Sequence, residues 1–179
     1  NDPSILKIKS LKQNNFQNLL PYLLTISLSV HFAAGLHRTI TDFFVPYSAA
    51  KATAQYIQKE GLQNVHIFAT RDVEVSTVAG YLDREFYYPE LQSLGSYAKW
   101  KKRVPIKRED VLQEVKSYFL KHQNINKSLL ILSRGSWLKI PEPEKVLYFS
   151  NLKITPVRSF ENSWIDTERY YLYWAERTD

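Results

Sequence analysis

The feature that most constrains this chain is a window without formal charge, residues 13–36. Its apolar part, LLPYLLTISLSVHFAAGL from Leu19 to Leu36, contains no Lys, Arg, Asp or Glu. A helix of this length has to be buried, either in a protein core or across the apolar layer of a membrane, which is about 30 Å thick. The sequence therefore predicts an N-terminal apolar helix, and the two kinds of burial lead to different functions.

Several residues weigh on the choice between a membrane span and a core helix. Pro21 and His31 dilute the apolar character, and a histidine in a span would face protein or the interface. Lysines precede the window, at Lys7, Lys9 and Lys12. If the helix spans, the positive-inside rule places this basic side in the cytoplasm and everything after Leu36 outside. We expect a span, with the core helix as the alternative.

After Asp42, helical and strand-like segments alternate along the chain. Helical periodicity predicts helices over residues 49–60 (ended by Gly61), 73–82, 108–122 and, more briefly, Glu142 to Phe149. Apolar runs predict strands over residues 65–70, 85–88, 95–100 and 128–133, and a hairpin of 153–160 with 169–175. This alternation is typical of the α/β class. We expect a layered sheet with helices on its faces, a C-terminal antiparallel hairpin and the apolar helix in front.

The predicted organisation has two parts. Residues 1–37 form a basic, cytoplasmic-side segment and the candidate membrane helix, and residues 38–179 form a single extracytoplasmic α/β domain, a size sufficient for a real core. The chain starts at Asn1 and has no methionine. Its first residues also lack the pattern of a signal peptide, so we expect a fragment of a longer protein.

The sequence contains none of the common catalytic motifs. There is no cysteine, so disulfide and thiolate chemistry are excluded. The five glycines are scattered singly, which excludes a phosphate-binding loop and a dinucleotide fingerprint. The four histidines lack metal-ligand spacing. We therefore predict no metal and no cofactor, and no catalytic residue is assigned.

Asp72 is the most suggestive carboxylate. In ATRDVEV it follows a predicted strand and precedes a predicted helix, with Arg71 beside it. Ligands of open α/β sheets bind at the carboxyl ends of strands, so Arg71 and Asp72 could meet a polar substrate there. The alternative is that Asp72 caps the following helix.

A second candidate site is the segment KWKKRVPIKR, residues 99–108. Its first residues, which we assign as candidate ligand-binding residues, are Lys99, Trp100, Lys101, Lys102 and Arg103. Such a cluster suits anionic headgroups or a pyrophosphate, with the indole at a membrane interface. The alternative is a solvated basic loop. Nucleic acid would also accept a basic cluster in a chain of net charge +6, but the mixed charge along most of the chain disfavours it.

The strand-like run RYYLYWAER is rich in aromatic residues. Alternation puts Tyr170, Leu172 and Trp174 on one face of a strand. The other face, with Tyr171 and Tyr173, is then either a stacking surface or an edge covered by another element.

Short motifs in this order resemble the C-terminal region of bacterial GT-C-type, protein-mannosyltransferase-like membrane glycosyltransferases, which are multi-spanning proteins. In those proteins a last membrane helix leads into an extracytoplasmic α/β domain. The matching positions are Pro46, Tyr47, Ser48, Lys51 and Ala52, then Asp72, then Tyr87, Tyr88 and Pro89.

The resemblance implies that this chain does not transfer sugar alone. In that family the catalytic carboxylate lies on an early extracytoplasmic loop, and nothing in this chain matches it. The implied function is a non-catalytic domain that assists binding of a lipid-phosphate sugar donor or an acceptor. Its implied partners are membrane lipid or lipid-phosphate sugar and the remaining transmembrane part of the parent protein. The alternative is a soluble α/β enzyme or nucleotide-binding domain with a site near Asp72 and Ser133.

Overall fold

The computed structural model describes residues 3–99, 108–134 and 145–178. The chain divides into two compact units, Asn1–Phe44 and Val45–Asp179. The first unit contains one long helix, α1 (Pro3–Phe44). The helix therefore continues beyond residue 37, where the sequence analysis placed the end of the membrane segment.

The described side chains of α1 are largely exposed. Leu19–Phe44 is long and apolar enough to cross a membrane, and none of that window is buried among the described residues. Signal sequences and core helices of soluble proteins share this length and composition. Polar side chains bond back to the helix backbone: Thr25 Oγ1 donates to the Pro21 carbonyl at 2.8 Å, and His31 Nδ1 donates to the Ser27 carbonyl at 2.7 Å. This satisfies part of their polarity without any partner outside the helix.

The second unit is a mixed α/β layer structure. Its described helices are α2 (Ala50–Lys59), α3 (Asp72–Leu82) and α4 (Arg108–Lys121), and a 3₁₀ turn lies at Asp166–Glu168. Its strands are β1 (Ile67–Ala69), β2 (Phe86–Tyr88), β3 (Ser93–Gly95), β4 (Lys127–Ser133), β5 (Leu147–Phe149), β6 (Leu152–Phe160) and β7 (Tyr170–Arg177).

The strands form one seven-stranded sheet in the order β3-β2-β1-β4-β7-β6-β5. The three adjacent strands β2, β1 and β4 are parallel, whereas the other pairings are antiparallel. The predicted C-terminal hairpin is confirmed as the β6–β7 pair, which contains a bulge between Pro156 and Arg158. The predicted α/β class is confirmed as well.

Helices cover both faces of the sheet. On one face, α2 and α3 pack Ile57, Val75 and Val78 against strand residues such as Ile131. On the other face, α4 packs Val111, Leu112, Val115 and Phe119 against strand residues such as Phe68 and Leu130. Burial on both faces explains why β1 and β4 are almost continuously apolar in sequence.

Two predicted elements are wrong. Leu147–Phe149, the end of the predicted helix at Glu142 to Phe149, is strand β5, because these residues pair with Leu152 to Ile154 of β6 through a tight turn. The start of that helix lies outside the described residues. The strand predicted over residues 95–100 instead lies at Ser93–Gly95, where it pairs with β2. In both places strand pairing overrides the local sequence pattern.

Candidate functional site

The parallel strands place a switch point at the carboxyl end of β1. In the sheet, β2 and β4 lie on either side of β1. The chain runs from β1 to β2 through α3, which packs on one face of the sheet. It later reaches β4 through α4, which packs on the opposite face. Two neighbouring strands whose connections leave in opposite directions open a crevice at their carboxyl ends, and ligands of α/β sheets bind there. The side chains that follow β1, β2 and β4 are therefore the candidate site.

Asp72 is fully buried at this edge, with 0% of its surface exposed. It is the first residue of α3, and the N-cap position is Arg71. Its Oδ2 atom accepts a hydrogen bond from the backbone N–H of Lys99 at 2.7 Å. Asp72 therefore lies inside the first turn of α3 and holds the chain at the start of the basic segment.

Glu90 takes the capping role that the sequence analysis offered to Asp72. Its Oε1 atom accepts hydrogen bonds from the backbone N–H groups of Arg71 (2.5 Å) and Asp72 (3.2 Å), at the positive end of the α3 dipole. Its Oε2 atom is buried and has no hydrogen-bond partner among the described residues. Burial raises the pKa of Glu90 to about 7; the two N–H bonds oppose this rise and the charge of Asp72 adds to it.

Sequence reasoning missed Glu90. It follows β2 in the run FYYPE, so it stands one proline after a strand end, as Asp72 stands shortly after the end of β1. Applying the strand-end rule to β2 would have found it.

Arg71 brings a positive charge to the site. Its backbone is left-handed, with φ 62°, and its guanidinium forms an ion pair with Glu74, which is only 8% exposed. The Lys99 ammonium donates to Ser93 Oγ (3.3 Å) and to the Leu94 carbonyl (3.0 Å). Among the described residues, the carboxylates of Asp72, Glu74 and Glu90 gather at this edge, and such acceptors suit a ligand that donates hydrogen bonds.

Buried hydroxyl groups lie at the ends of the same strands. Tyr170 donates its hydroxyl to the Glu74 carbonyl at 2.7 Å. The hydroxyls of Thr70, Tyr88 and Ser133 are buried without a hydrogen-bond partner among the described residues. Burial raises the pKa of Tyr88, and the charges of Glu90 and Asp72 raise it further. The edge therefore holds unused hydrogen-bonding capacity.

The structure brings together three of the predicted site residues, Arg71, Asp72 and Lys99. The other four, Trp100, Lys101, Lys102 and Arg103, lie outside the described residues. Within the described ranges, no group of three or more His, Asp or Glu side chains could hold a metal ion.

The histidine nearest to the sheet belongs to a different cluster. His66 Nε2 lies 2.9 Å from the Tyr118 hydroxyl, in a ring cluster with Phe68 and Tyr87. Burial lowers the pKa of His66 to about 4, and the charges of Arg84 and His122 lower it further. The imidazole is therefore neutral at pH 7.

Comparisons with protein-family models, with curated proteins and with solved structures each find no match.

Proposed function

We propose that this chain is a membrane-tethered α/β domain of a GT-C-type glycosyltransferase-like protein, lying on the extracytoplasmic side, that assists binding of a lipid-phosphate sugar donor or acceptor. It contributes no catalytic carboxylate; the sugar transfer belongs to the remaining membrane part of the parent protein. The observation that carries the proposal is the exposed apolar helix Leu19–Phe44 in front of a separate compact unit.

The apolar helix supports tethering to a membrane because its large apolar side chains are exposed. Phe32 is 73% exposed and Phe43 is 85% exposed. Monomeric soluble proteins rarely expose continuous apolar patches of this extent, whereas a helix in lipid exposes apolar side chains on every face. Phe43 and Phe44 end the helix and Tyr47 comes three residues later, and all three are exposed, as aromatic residues are at a membrane interface.

The positions of the resemblance motifs support a role at the sheet edge. Asp72 and Tyr88, from two of the motifs, are buried at the carboxyl ends of the neighbouring parallel strands β1 and β2. The first motif fixes the neighbouring loop: the Pro46 and Tyr47 carbonyls accept the N–H groups of Trp164 and Ile165 at 2.9 and 3.1 Å. Carboxylates and tyrosine hydroxyls of this kind accept hydrogen bonds from sugar hydroxyls, while the basic segment after Lys99 suits a lipid phosphate.

The first test compares residues 1–179 with residues 45–179, by alkaline extraction from membranes and by thermal melting. We expect the full chain to stay in the membrane and the short form to be soluble with a cooperative melt. An unfolded short form together with a soluble full chain would instead show a core helix, and the proposal would fail.

The second test measures flotation of the full chain with vesicles that contain or lack polyprenyl phosphate. We expect the phosphate-dependent part of the binding to fall when Lys101, Lys102 and Arg103 are all changed to Glu. The matched control changes three exposed lysines outside the resemblance motifs and the basic segment, Lys59, Lys121 and Lys145, to Glu. If both triple variants lose the same amount of phosphate-dependent binding, the loss reflects the change in net charge, and the basic segment has no specific role.

A second candidate function is a soluble α/β enzyme or nucleotide-binding domain with its site at Asp72. The observation that favours it is the set of buried, unpartnered hydroxyls at the switch point. Its test is thermal stabilisation by nucleoside di- and triphosphates. Stabilisation that disappears in Asp72→Asn, with an unchanged melt of the free variant, would favour this candidate.

A further inference from the structure

A groove of about 480 Å³ lies over the pair β6–β7, on the second half of the sheet. This volume falls in the usual range for small-molecule sites, about 300–1,000 Å³. The β-bulge between Pro156 and Arg158 lies directly in the groove wall. Bulges increase local twist and redirect side chains, and they occur frequently beside binding sites.

Strand register identifies which side chains form the groove floor. Tyr171 pairs with Ser159 and Tyr173 pairs with Pro156, so these four residues share one face of the sheet. Tyr173 is 3% exposed and belongs to the core under α4, whereas Tyr171 is half-buried and borders the groove. The sequence analysis left two alternatives for this face, a stacking surface or a covered edge. Tyr173 is covered, whereas Tyr171 borders the groove.

The tyrosine hydroxyl stands among charges of both signs. Burial raises the pKa of Tyr171; the charge of Glu161 and, more weakly, that of Asp166 raise it further, and the charges of Arg134 and Arg169 lower it. One oxygen of Asp166 binds both arginines, at 3.1 Å to Arg134 and 3.0 Å to Arg169. The Nε atom of Arg169 is buried without a hydrogen-bond partner among the described residues. These charges act on Tyr171 from outside the described lining of the groove.

We propose that this groove binds a neutral saccharide ring, with the apolar face of the sugar on Tyr171 and its hydroxyls toward Ser159 and the bulge between Pro156 and Arg158. A sugar ring has an apolar face and a polar perimeter, which matches an aromatic floor inside a mixed rim. Arg158 is the charged residue in the described lining of the groove, and its guanidinium carbon lies 5.1 and 5.6 Å from the ring centroids of Tyr56 and Phe160. Its charge is therefore already engaged by these rings, which favours a neutral ligand. The inference deepens the proposed function, on which it rests for the role of the sugar, but binding in the groove does not need the membrane.

The test uses the full chain in micelles of a detergent without a sugar headgroup, with 3-fluorotyrosine in place of tyrosine. The probes are the methyl glycosides of mannose, glucose and galactose, and N-acetylglucosamine. The fluorine resonance of Tyr171 is assigned by its loss in Tyr171→Phe. We expect at least one probe to shift this resonance saturably.

Two variants at Tyr171 separate stacking from folding. Tyr171→Leu keeps apolar volume but removes the ring face, and we expect about tenfold weaker binding, measured by saturation-transfer NMR. Tyr171→Phe keeps the ring and should bind within about threefold of the wild type, because the hydroxyl adds only one hydrogen bond at the rim. The matched control is Tyr148→Leu, on the neighbouring strand β5 and on the opposite face. It should bind as the wild type does.

Two outcomes would overturn the inference: no probe saturates, or Tyr171→Leu binds as tightly as the wild type. Release of the full chain from membranes at alkaline pH would refute tethering and leave the groove result unaffected. The two failures are therefore distinguishable.

Discussion

Glu90 and Asp72 meet at the first turn of α3, where the Glu90 carboxylate accepts the backbone N–H of Asp72 at 3.2 Å. The Asp72 carboxylate in turn accepts the backbone N–H of Lys99 at 2.7 Å. Two acidic side chains therefore connect the segments after β1, β2 and β3 at one edge of the sheet. The arrangement is mutual: each carboxylate fixes a backbone segment and is buried beside the other.

Glu90→Gln tests the consequence of this burial for stability. The pKa of Glu90 is about 7 in the folded chain against an ordinary value of 4.5, so the folded state binds this proton more tightly. The stabilisation from this tighter proton binding is fully present below about pH 4.5 and is lost as the pH rises through about 7. The change in the free energy of unfolding is about 3 kcal/mol. We expect Glu90→Gln to match the wild type near pH 4.5 and to be more stable at pH 8, measured by urea unfolding.

The control for this prediction is Glu85→Gln, an exposed acid just before β2. It should leave the pH dependence of unfolding unchanged. If Glu90→Gln is no more stable than the wild type at pH 8, the buried, charged carboxylate of Glu90 does not destabilise the fold at that pH.

His66 predicts a pH effect of opposite sign. Its folded pKa of about 4 lies below the ordinary 6.5, so the unfolded chain takes up the proton first. Stability that is present above pH 6.5 is therefore lost as the pH falls toward 4. We expect His66→Phe to remove this loss of stability at acid pH (the acid loss), measured by following unfolding from pH 7 to pH 4. The comparison is made in the Glu90→Gln background, because the Glu90 effect overlaps this window.

His122→Gln is the control for the acid loss. His122 is exposed and stacks on Tyr118 at 4.1 Å between ring centroids. This variant should keep most of the acid loss. An unchanged acid loss in His66→Phe would exclude His66 as its cause.

Two buried tyrosines give a matched pair of deletions. The Tyr170 hydroxyl donates to the Glu74 carbonyl at 2.7 Å, whereas the Tyr88 hydroxyl is buried without a partner among the described residues. Removing a satisfied buried hydroxyl costs about 1 kcal/mol, but removing an unsatisfied one relieves a desolvation penalty. We expect Tyr170→Phe to lower the free energy of unfolding and Tyr88→Phe to leave it equal or raise it. Equal losses in both variants would mean that Tyr88 has a bound partner in solution.

The sequence predicted those elements whose signals are local and repeated. The helices at α2, α3 and α4 follow from apolar periodicity, and Gly61 ends α2 with φ 69°, the conformation that favours glycine. Burial on both faces made β4 recognisable as a single apolar run. By contrast, β5 is three residues long, and only its pairing with β6 makes it a strand. That pairing is a tertiary contact, which local pattern does not contain.

The candidate site was predictable only in part. The strand-end rule pointed to Asp72 and Arg71, and the structure places Lys99 against Asp72 through a backbone N–H, which no side-chain pattern reports. Glu90 was missed because it follows a three-residue strand and a proline, where the sequence suggests only a turn. The groove beside Tyr171 depends on a β-bulge, and a bulge is set by register between distant strands.

Asp83 offers a test of the backbone at the end of α3. It is the exposed C-cap residue, with left-handed backbone angles of φ 49° and ψ 48°. An L-residue with a Cβ atom is strained there, and an acid at a helix C-terminus also opposes the helix dipole. Glycine removes both penalties, so we expect Asp83→Gly to raise the free energy of unfolding by about 0.5–1 kcal/mol in thermal or urea melts.

Two further variants separate the causes of that gain. Asp83→Ala removes the charge but keeps the strained Cβ atom, so it should gain less than Asp83→Gly. Gln55→Gly, at an exposed position inside α2, should lose about 1 kcal/mol, because glycine there only adds freedom to the unfolded chain. If Asp83→Ala stabilises as much as Asp83→Gly, the charge alone destabilises the end of α3. If Asp83→Gly loses stability as Gln55→Gly does, the left-handed conformation at residue 83 stores no strain.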